Sequence, residues 1–184
     1  MGDSLAKTQL VSASDDIGIR NIYAGNSHMC AHFDDNSVKC WGANDFGQLG
    51  LGDNNHRGDQ ENEMGAQLPR LTFAENEVVI KLALGKNHSC ALIEVDNTSK
   101  VVKCWGDNST GQLALNPNNV EKLGGTESSI PSLIDAVEFI PGTGEIVDIF
   151  AGSNSTCALT VTNQVLCWGD NSSGQLGIGI GGSG

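Results

Sequence analysis

The chain contains one segment three times, and its middle copy is Cys104-Trp105-Gly106-Asp107-Asn108-Ser109-Thr110-Gly111-Gln112-Leu113. The other copies are CWGANDFGQL at 40–49 and CWGDNSSGQL at 167–176. Their tryptophans, Trp41, Trp105 and Trp168, are 64 and 63 residues apart. A fixed period of this length is typical of an architecture built from repeated structural units.

Each repeat reads as a set of short β-strands with almost no helix signal. In the first repeat the β-rich runs lie at 10–13, 19–23, 28–33 and 37–41, and Gly, Asp or Asn bound them, as is usual for strands. The sequence therefore predicts an all-β protein of three four-stranded β-propeller blades. A β-solenoid is the alternative, although its coils are usually much shorter than this period.

The repeat period also divides the chain. The segments between repeats lack periodicity and are rich in Asn, Gly and Glu, which predicts surface loops. The predicted division is a first repeat with an N-terminal strand at 1–52, an insert at 53–67, a second repeat at 68–115, an insert at 116–129, a third repeat at 130–180 and a linker-like Gly/Ser tail at 181–184.

The six cysteines come two to a repeat. A hairpin centred on Asp35 places Cys30 opposite Cys40, close to the Cβ separation that a disulfide requires. The second hairpin is longer by an even number of residues, so its faces do not flip. We predict the disulfides Cys30–Cys40, Cys90–Cys104 and Cys157–Cys167. Zinc and free thiols are weaker alternatives, because no Cys-x-x-Cys pair occurs and each repeat holds a pair.

Disulfides imply an oxidising environment, so the protein is expected to be secreted, at the cell surface or in a lumenal compartment. The formal net charge of −12 argues against a nucleic-acid partner, because such a partner requires a basic footprint. The apolar runs are far shorter than the ~20 residues that a membrane-spanning helix needs, so no membrane span is predicted.

These motifs resemble the regulator of chromosome condensation repeat family. The resemblance rests on 80–85, on His88-Ser89-Cys90-Ala91-Leu92 and on 104–113, with matching copies in the other repeats. The added cysteines are similar to a secreted or surface branch of that family. Family propellers usually have seven blades, so three repeats imply either part of a longer propeller or a share of an assembled one.

The resemblance also suggests nucleotide exchange on a small GTPase, which is the activity of nuclear family members. The acidic, cysteine-bearing sequence argues against carrying that activity over. Other members resemble pure binding scaffolds. Unclosed, three blades would expose sheet edges and apolar faces that invite association, so we expect a homo-oligomer or a fragment of a longer propeller.

The histidines are the first candidates for a catalytic role. His28 and His88 occupy matched positions, and this recurrence favours a structural turn hydrogen bond over a general base. The chain has no nucleophile elbow, P-loop or GxGxxG motif, so neither an enzyme nor a cofactor is predicted. The repeated tryptophans and leucines are expected to pack between blades rather than to stack a ligand. They are Trp41, Trp105, Trp168, Leu49, Leu113 and Leu176.

The first insert is the candidate partner loop. Its charged residues are Asp53, Arg57, Asp59, Glu61 and Glu63. The four acidic residues could instead bind Ca²⁺, but their spacing matches no EF-hand, so a solvated acidic loop is preferred. Asn97, in a hairpin tip that the other repeats lack, is the candidate glycosylation site.

These features predict a non-enzymatic extracellular protein-binding or scaffold module that meets its partner on its loops. One alternative is a structural subunit that self-assembles through open blade edges into a fibre or surface coat. The other alternative, which the sequence disfavours, is a regulator or nucleotide exchange factor for a small GTPase.

Overall fold

The computed structural model describes residues 7–11 and 16–179, and nearly all of its regular structure is β-strand. The strands are β1 (Ile19–Ala24), β2 (His28–Phe33), β3 (Val38–Gly42), β4 (Glu77–Leu84), β5 (His88–Val95), β6 (Ser99–Asp107), β7 (Lys122–Leu123), β8 (Ile146–Ala151), β9 (Ser155–Thr160) and β10 (Val165–Gly169). Short 3₁₀ turns lie in the inserts at Gly65–Gln67 and Glu127–Ser129. The predicted all-β class is confirmed.

The strands form three antiparallel sheets, one for each repeat. Their orders are β1-β2-β3, β4-β5-β6-β7 and β8-β9-β10, so only the middle sheet has the four strands predicted for all of them. Its fourth strand, β7, comes from the second insert, which was predicted to be a loop. In the run at 10–13, Leu10 and Val11 are not in a strand, and 12–13 lie outside the described residues.

The segment that opens a repeat lies along the sheet of the repeat before it. Leu71 N donates to Val38 O at 2.8 Å, beside an isolated bridge between Arg70 and Lys39. At the next junction Val137 N donates to Val102 O at 2.7 Å. These pairings are too short to form strands, which explains the difference from the predicted strand count.

Each cysteine pair lies directly across a hairpin. The register places Cys30 opposite Cys40, Cys90 opposite Cys104 and Cys157 opposite Cys167. All three pairs are disulfide-bonded, with Cα atoms 4.1 Å apart. The strand registers therefore bring the cysteines together as the sequence predicted.

The core consists mainly of two apolar layers between neighbouring sheets. The first layer holds Leu49 of the first repeat with Leu82 and Trp105 of the second, all of them buried. The second layer holds Leu113 with Ile149 of the third repeat and with the half-buried Trp168. Burial between sheets is the main source of stability in such an arrangement, because each small sheet alone is marginal.

A polar cluster crosses the junction between the first and second sheets. The Gln48 main-chain oxygen accepts hydrogen bonds from Ser89 Oγ at 2.8 Å and from Trp105 Nε1 at 3.0 Å. His28 Nε2 lies 2.9 Å from the same Ser89 hydroxyl. Since Ser89 gives its single proton to the carbonyl, His28 must be the donor, with its proton on Nε2. We call this arrangement the blade latch.

The second junction has the same latch. Gln112 O accepts from Thr156 Oγ1 at 3.0 Å and from Trp168 Nε1 at 2.9 Å, and His88 Nε2 lies 3.0 Å from Thr156 Oγ1. The two histidines are therefore structural, as predicted, but they bond to the next sheet rather than within their own turn. Burial lowers the pKa of both His28 and His88 to about 4.

Removing one disulfide should lower the free energy of unfolding. The paired variant Cys90→Ala/Cys104→Ala releases a loop with a sequence separation of 14 residues. We expect a loss of about 3 kcal/mol in urea denaturation, because the unfolded chain regains loop freedom. The control is wild-type protein with and without reductant. An unchanged denaturation midpoint in both comparisons would show that the bonds are absent in solution.

The blade latch should be measurable with one substitution. Ser89→Ala leaves the His28 Nε2–H group buried without an acceptor, which should cost about 1–3 kcal/mol of unfolding free energy. The matched control is Ser99→Ala, since Ser99 is exposed at the start of β6. Equal losses in both variants would contradict the latch.

Stability should fall as the pH falls below neutrality. The folded state holds His28 and His88 neutral, with pKa values of about 4, whereas in the unfolded chain they titrate near 6.5. Their contribution is complete above pH ~6.5 and is lost between there and pH ~4, because the unfolded state binds more protons. The slope of unfolding free energy near pH 5.5 should be smaller by about 1 kcal/mol per pH unit in His88→Asn. Gln60→Asn is the surface control, because Gln60 is exposed and does not titrate, and its slope should match the wild type.

Candidate functional site

The first insert is fastened to the blade by Asn44. This residue is fully buried, and its Oδ1 accepts the Leu49 N–H at 2.9 Å. Its Nδ2 donates to the Asp53 main-chain oxygen at 2.8 Å. One carboxamide thus joins the turn of the repeated segment to the first residue of the insert.

Arg57 holds the first insert from within. Its Nη2 lies 2.6 Å from Asp53 Oδ2, and its Nη1 donates to the main-chain oxygens of Asn55 and His56. Its backbone exchanges hydrogen bonds with Gly42 at the end of β3. The Arg57 side chain is only 16% exposed, so it stabilises the loop rather than presenting a free guanidinium.

Glu63 also has a structural role in this loop. Its Oε2 accepts the backbone N–H of Gly58 at 2.8 Å and of Gln60 at 3.2 Å. These hydrogen bonds, that from Gly58 foremost, lower the pKa of the Glu63 carboxyl. By contrast, Asp59 and Glu61 are exposed. Of the five candidate residues, these two are the ones most available to a partner.

The second insert is fastened in the same way by Asn108. Its Oδ1 accepts Leu113 N–H at 3.0 Å, and its Nδ2 donates to Val120 O at 2.7 Å. Beyond this point β7 pairs with Gly106 and Asp107 at the end of β6. No sequence pattern indicated that these asparagines hold the inserts.

The second insert contacts the turn of the first repeated segment and the residue that precedes the first insert. Gly52 N donates to Gly124 O at 3.0 Å, and Lys122 Nζ lies 3.3 Å from Asp45 O. Gly47 and Gly124 both have positive φ, and a methyl group on either would overlap the other's backbone. The contact between the first repeated segment and the second insert therefore depends on glycine at both positions.

The two inserts carry a net negative charge. Positions 53–67 and 116–129 together hold six acidic residues and two basic ones, and one of the basic residues, Arg57, is the internal clamp. We call this surface the insert face. Its exposed carboxylates belong to Asp59, Glu61, Glu121 and Glu127. A surface of this charge attracts cationic groups.

The acidic residues considered for Ca²⁺ serve other contacts. Asp53 pairs with Arg57, and Glu63 accepts backbone N–H groups. His56 lies between Asp45 and Asp59, with ring nitrogens 3.2 and 4.0 Å from their carboxylates. Within the described ranges no three His, Cys, Asp or Glu side chains are grouped to hold a metal ion.

The other candidate residues lie apart from the insert face. The buried His28 and His88 are occupied by the blade latch. Trp105 is fully buried, whereas Trp41 and Trp168 are half-buried. Leu49, Leu113 and Leu176 are all buried. Asn97 is exposed at the tip of the β5–β6 hairpin, with φ of 54°.

No helix among residues 7–11 and 16–179 is long and apolar enough to cross a lipid bilayer.

Relatives in sequence match the chain over most of its length. It is 36% identical to the human probable E3 ubiquitin-protein ligase HERC6 over 162 residues, which are 88% of this chain and 14% of that protein. It is 30% identical to the human X-linked retinitis pigmentosa GTPase regulator, over 86% of this chain and 13% of that protein. The chain thus spans about a seventh of these relatives.

Solved structures share the fold. Yeast RCC1 (Prp20), in its complex with Kap60, superposes with a TM-score of 0.63 at 19% identity, covering 88% of this chain and 34% of that one. Human WBSCR16 gives a TM-score of 0.62 at 20% identity, with 91% and 39% covered.

Two family models describe the same repeat. One matches residues 19–48, 79–112 and 146–175, and the other matches 35–92 and 102–159. With three sheets, disulfide-bonded hairpins and a repeated Trp-Gly segment in place, the chain belongs to the regulator of chromosome condensation (RCC1) repeat family and is built of its β-propeller blades.

Proposed function

We propose that this protein is a non-enzymatic protein-binding module that recognises a cationic protein surface through its insert face. The observation that carries the proposal is that both inserts are held in fixed conformations. The inserts lack the repeat pattern, yet Asn44 and Asn108 fix them to the blades, and Gly124 joins the second insert to Gly52, which directly precedes the first insert. A binding surface that is already ordered loses less conformational entropy when a partner docks.

The disulfides support action outside the reducing cytosol. Each sheet carries one bond between directly opposed residues. Such bonds persist in oxidising compartments, so we place the module in a secreted, cell-surface or lumenal setting. In a eukaryotic secretory pathway, the exposed Asn97 would be the residue that accepts a glycan.

The relatives suggest a second candidate function. One relative is a GTPase regulator, and yeast Prp20p, whose solved structure is 20% identical to this chain, binds Gsp1p and histones. GTPase regulation is therefore the alternative for this chain. The disulfides oppose it, since small GTPases act in the reducing cytosol and nucleus.

Charge reversal on the insert face should abolish partner capture. The variant Asp59→Lys/Glu61→Lys changes two exposed carboxylates, of which Asp59 also contacts His56 and Glu63 within the loop. The control Asp135→Lys/Glu138→Lys makes the same charge change at exposed positions of the third repeat. Each form is immobilised and exposed to the extracellular fraction of the source organism. We expect the wild type and the control to capture one protein, and the insert variant to capture at least tenfold less of it.

The same experiment separates the alternatives. Retention that is equal in all three forms, or no retention at all, would contradict the proposal. Accelerated nucleotide release from a small GTPase by the disulfide-bonded protein would favour GTPase regulation instead.

A further inference from the structure

His32 is a polar side chain buried in the apolar junction between the first and second sheets. It lies on β2 directly opposite Val38 of β3, so it faces the same junction as Val38. It is fully buried, and among the described residues neither of its ring nitrogens has a hydrogen-bond partner. Buried polar side chains without a partner are rare in folded proteins, and each one calls for an explanation.

The other two repeats have leucine at this position. The strand registers make Leu92 and Leu159 the equivalents of His32, since they lie opposite Val102 and Val165. Leu92 packs in the apolar layer of the second junction and is only 1% exposed. A leucine side chain therefore suits the fold, and packing does not require an imidazole here. The departure from the repeat adds one titratable group to the first junction.

We propose that His32 makes the junction between the first and second sheets acid-labile, so that acidification opens this junction before the second one. The opening would also release the second insert from the first repeat, because Gly52 and Gly124 meet across the same junction. The proposal concerns the packing of the sheets and does not rest on the proposed function.

The charged groups of the first sheet do not stabilise a protonated His32. Burial lowers the pKa of this imidazole, and the positive charge of Arg20 on β1 acts in the same direction. Asp35 and Asp34, in the turn after β2, oppose the shift without reversing it. Both carboxylates already face cations, since Asp34 lies beside Arg20 and Asp35 pairs with Arg70.

The facing strand of the second sheet offers no partner either. On β4 the carboxylate of Glu77 pairs with Lys103, and the ammonium of Lys81 pairs with Asp148. No hydrogen bond joins either of these β4 side chains to His32. An imidazolium therefore gains its hydrogen bonds only when the junction opens and water reaches the ring.

Opening should be favoured as the pH falls. In the closed junction the pKa of His32 lies below its ordinary value of 6.5, and in the open state it returns to about that value. The open state therefore binds more protons below pH ~6.5, and each such histidine favours opening by up to about tenfold per pH unit. Of the four histidines, His28 and His32 lie in the first junction and His88 alone in the second. The first junction should respond more steeply.

The indole N–H groups of Trp105 and Trp168 report on the two junctions separately, since each donates to a glutamine carbonyl across one of them. Their hydrogen exchange can be followed by NMR on the disulfide-bonded 184-residue chain. The intrinsic pH dependence of exchange is common to both indoles and cancels in the ratio of the Trp105 rate to the Trp168 rate. We expect this ratio to rise about tenfold from pH 7 to pH 5.

Two variants separate titration from packing. His32→Leu installs the residue of the other repeats, and His32→Asn keeps a buried polar side chain that does not titrate. In both, the ratio should stay constant within about twofold, because each junction then has one buried histidine. The swapped variant His32→Leu/Leu92→His should reverse the change, so that the ratio falls with pH. Circular dichroism at neutral pH verifies that each variant is folded.

Three outcomes would overturn the proposal. One is a ratio that does not change with pH in the wild type. Another is an equal rise in the wild type and in His32→Leu, which would place the sensitivity elsewhere. The third is exchange of both indoles at one common rate at pH 5, which would mean that all three sheets separate together.

Discussion

The arrangement of the sheets depends on one main-chain carbonyl in the repeated segment, that of the glutamine. Gln48 O and Gln112 O each accept two donors from the next sheet, an indole N–H and a hydroxyl. The hydroxyl in turn accepts from a histidine of the preceding sheet. A carbonyl has two acceptor sites, so both are filled, and the geometry allows little rotation of one sheet against its neighbour.

This constraint explains why the three copies of the repeated segment share the same Asn, Gly, Gln and Leu residues around the turn. The turn must expose the glutamine carbonyl to the next sheet while an asparagine Oδ1 accepts the N–H of the following leucine, as Asn44 does for Leu49. Ala114 departs from the glycine found in the other copies, yet it keeps the same positive φ, 61° against 70° at Gly50. A non-glycine residue there costs about 1–2 kcal/mol, which the buried contacts around Leu113 offset.

The fold class and the disulfides could be predicted because they depend on local patterns. Hairpin length alone places Cys30 opposite Cys40 and Cys157 opposite Cys167. Contacts between repeats leave no such pattern, so the expectation that His28 bonds within its own turn missed the latch. The strand β7 was missed because its two residues pair through backbone atoms, and the insert that carries it has no alternation of apolar and polar side chains.

Each repeat begins with a segment that pairs with the preceding sheet, and this offset makes the stability of a sheet depend on the repeat that follows it. Each opening segment completes the sheet before it, as Leu71 does on Val38, so a sheet reaches its full set of contacts only when a repeat follows it. Stability in such arrays is the sum of the units and their interfaces, and the units alone are marginal. The disulfides raise the stability of the single units rather than of the interfaces, because each one stabilises a hairpin internally. Each hairpin therefore keeps its shape, and the position of the insert fastened beside it, independently of how many junctions surround it.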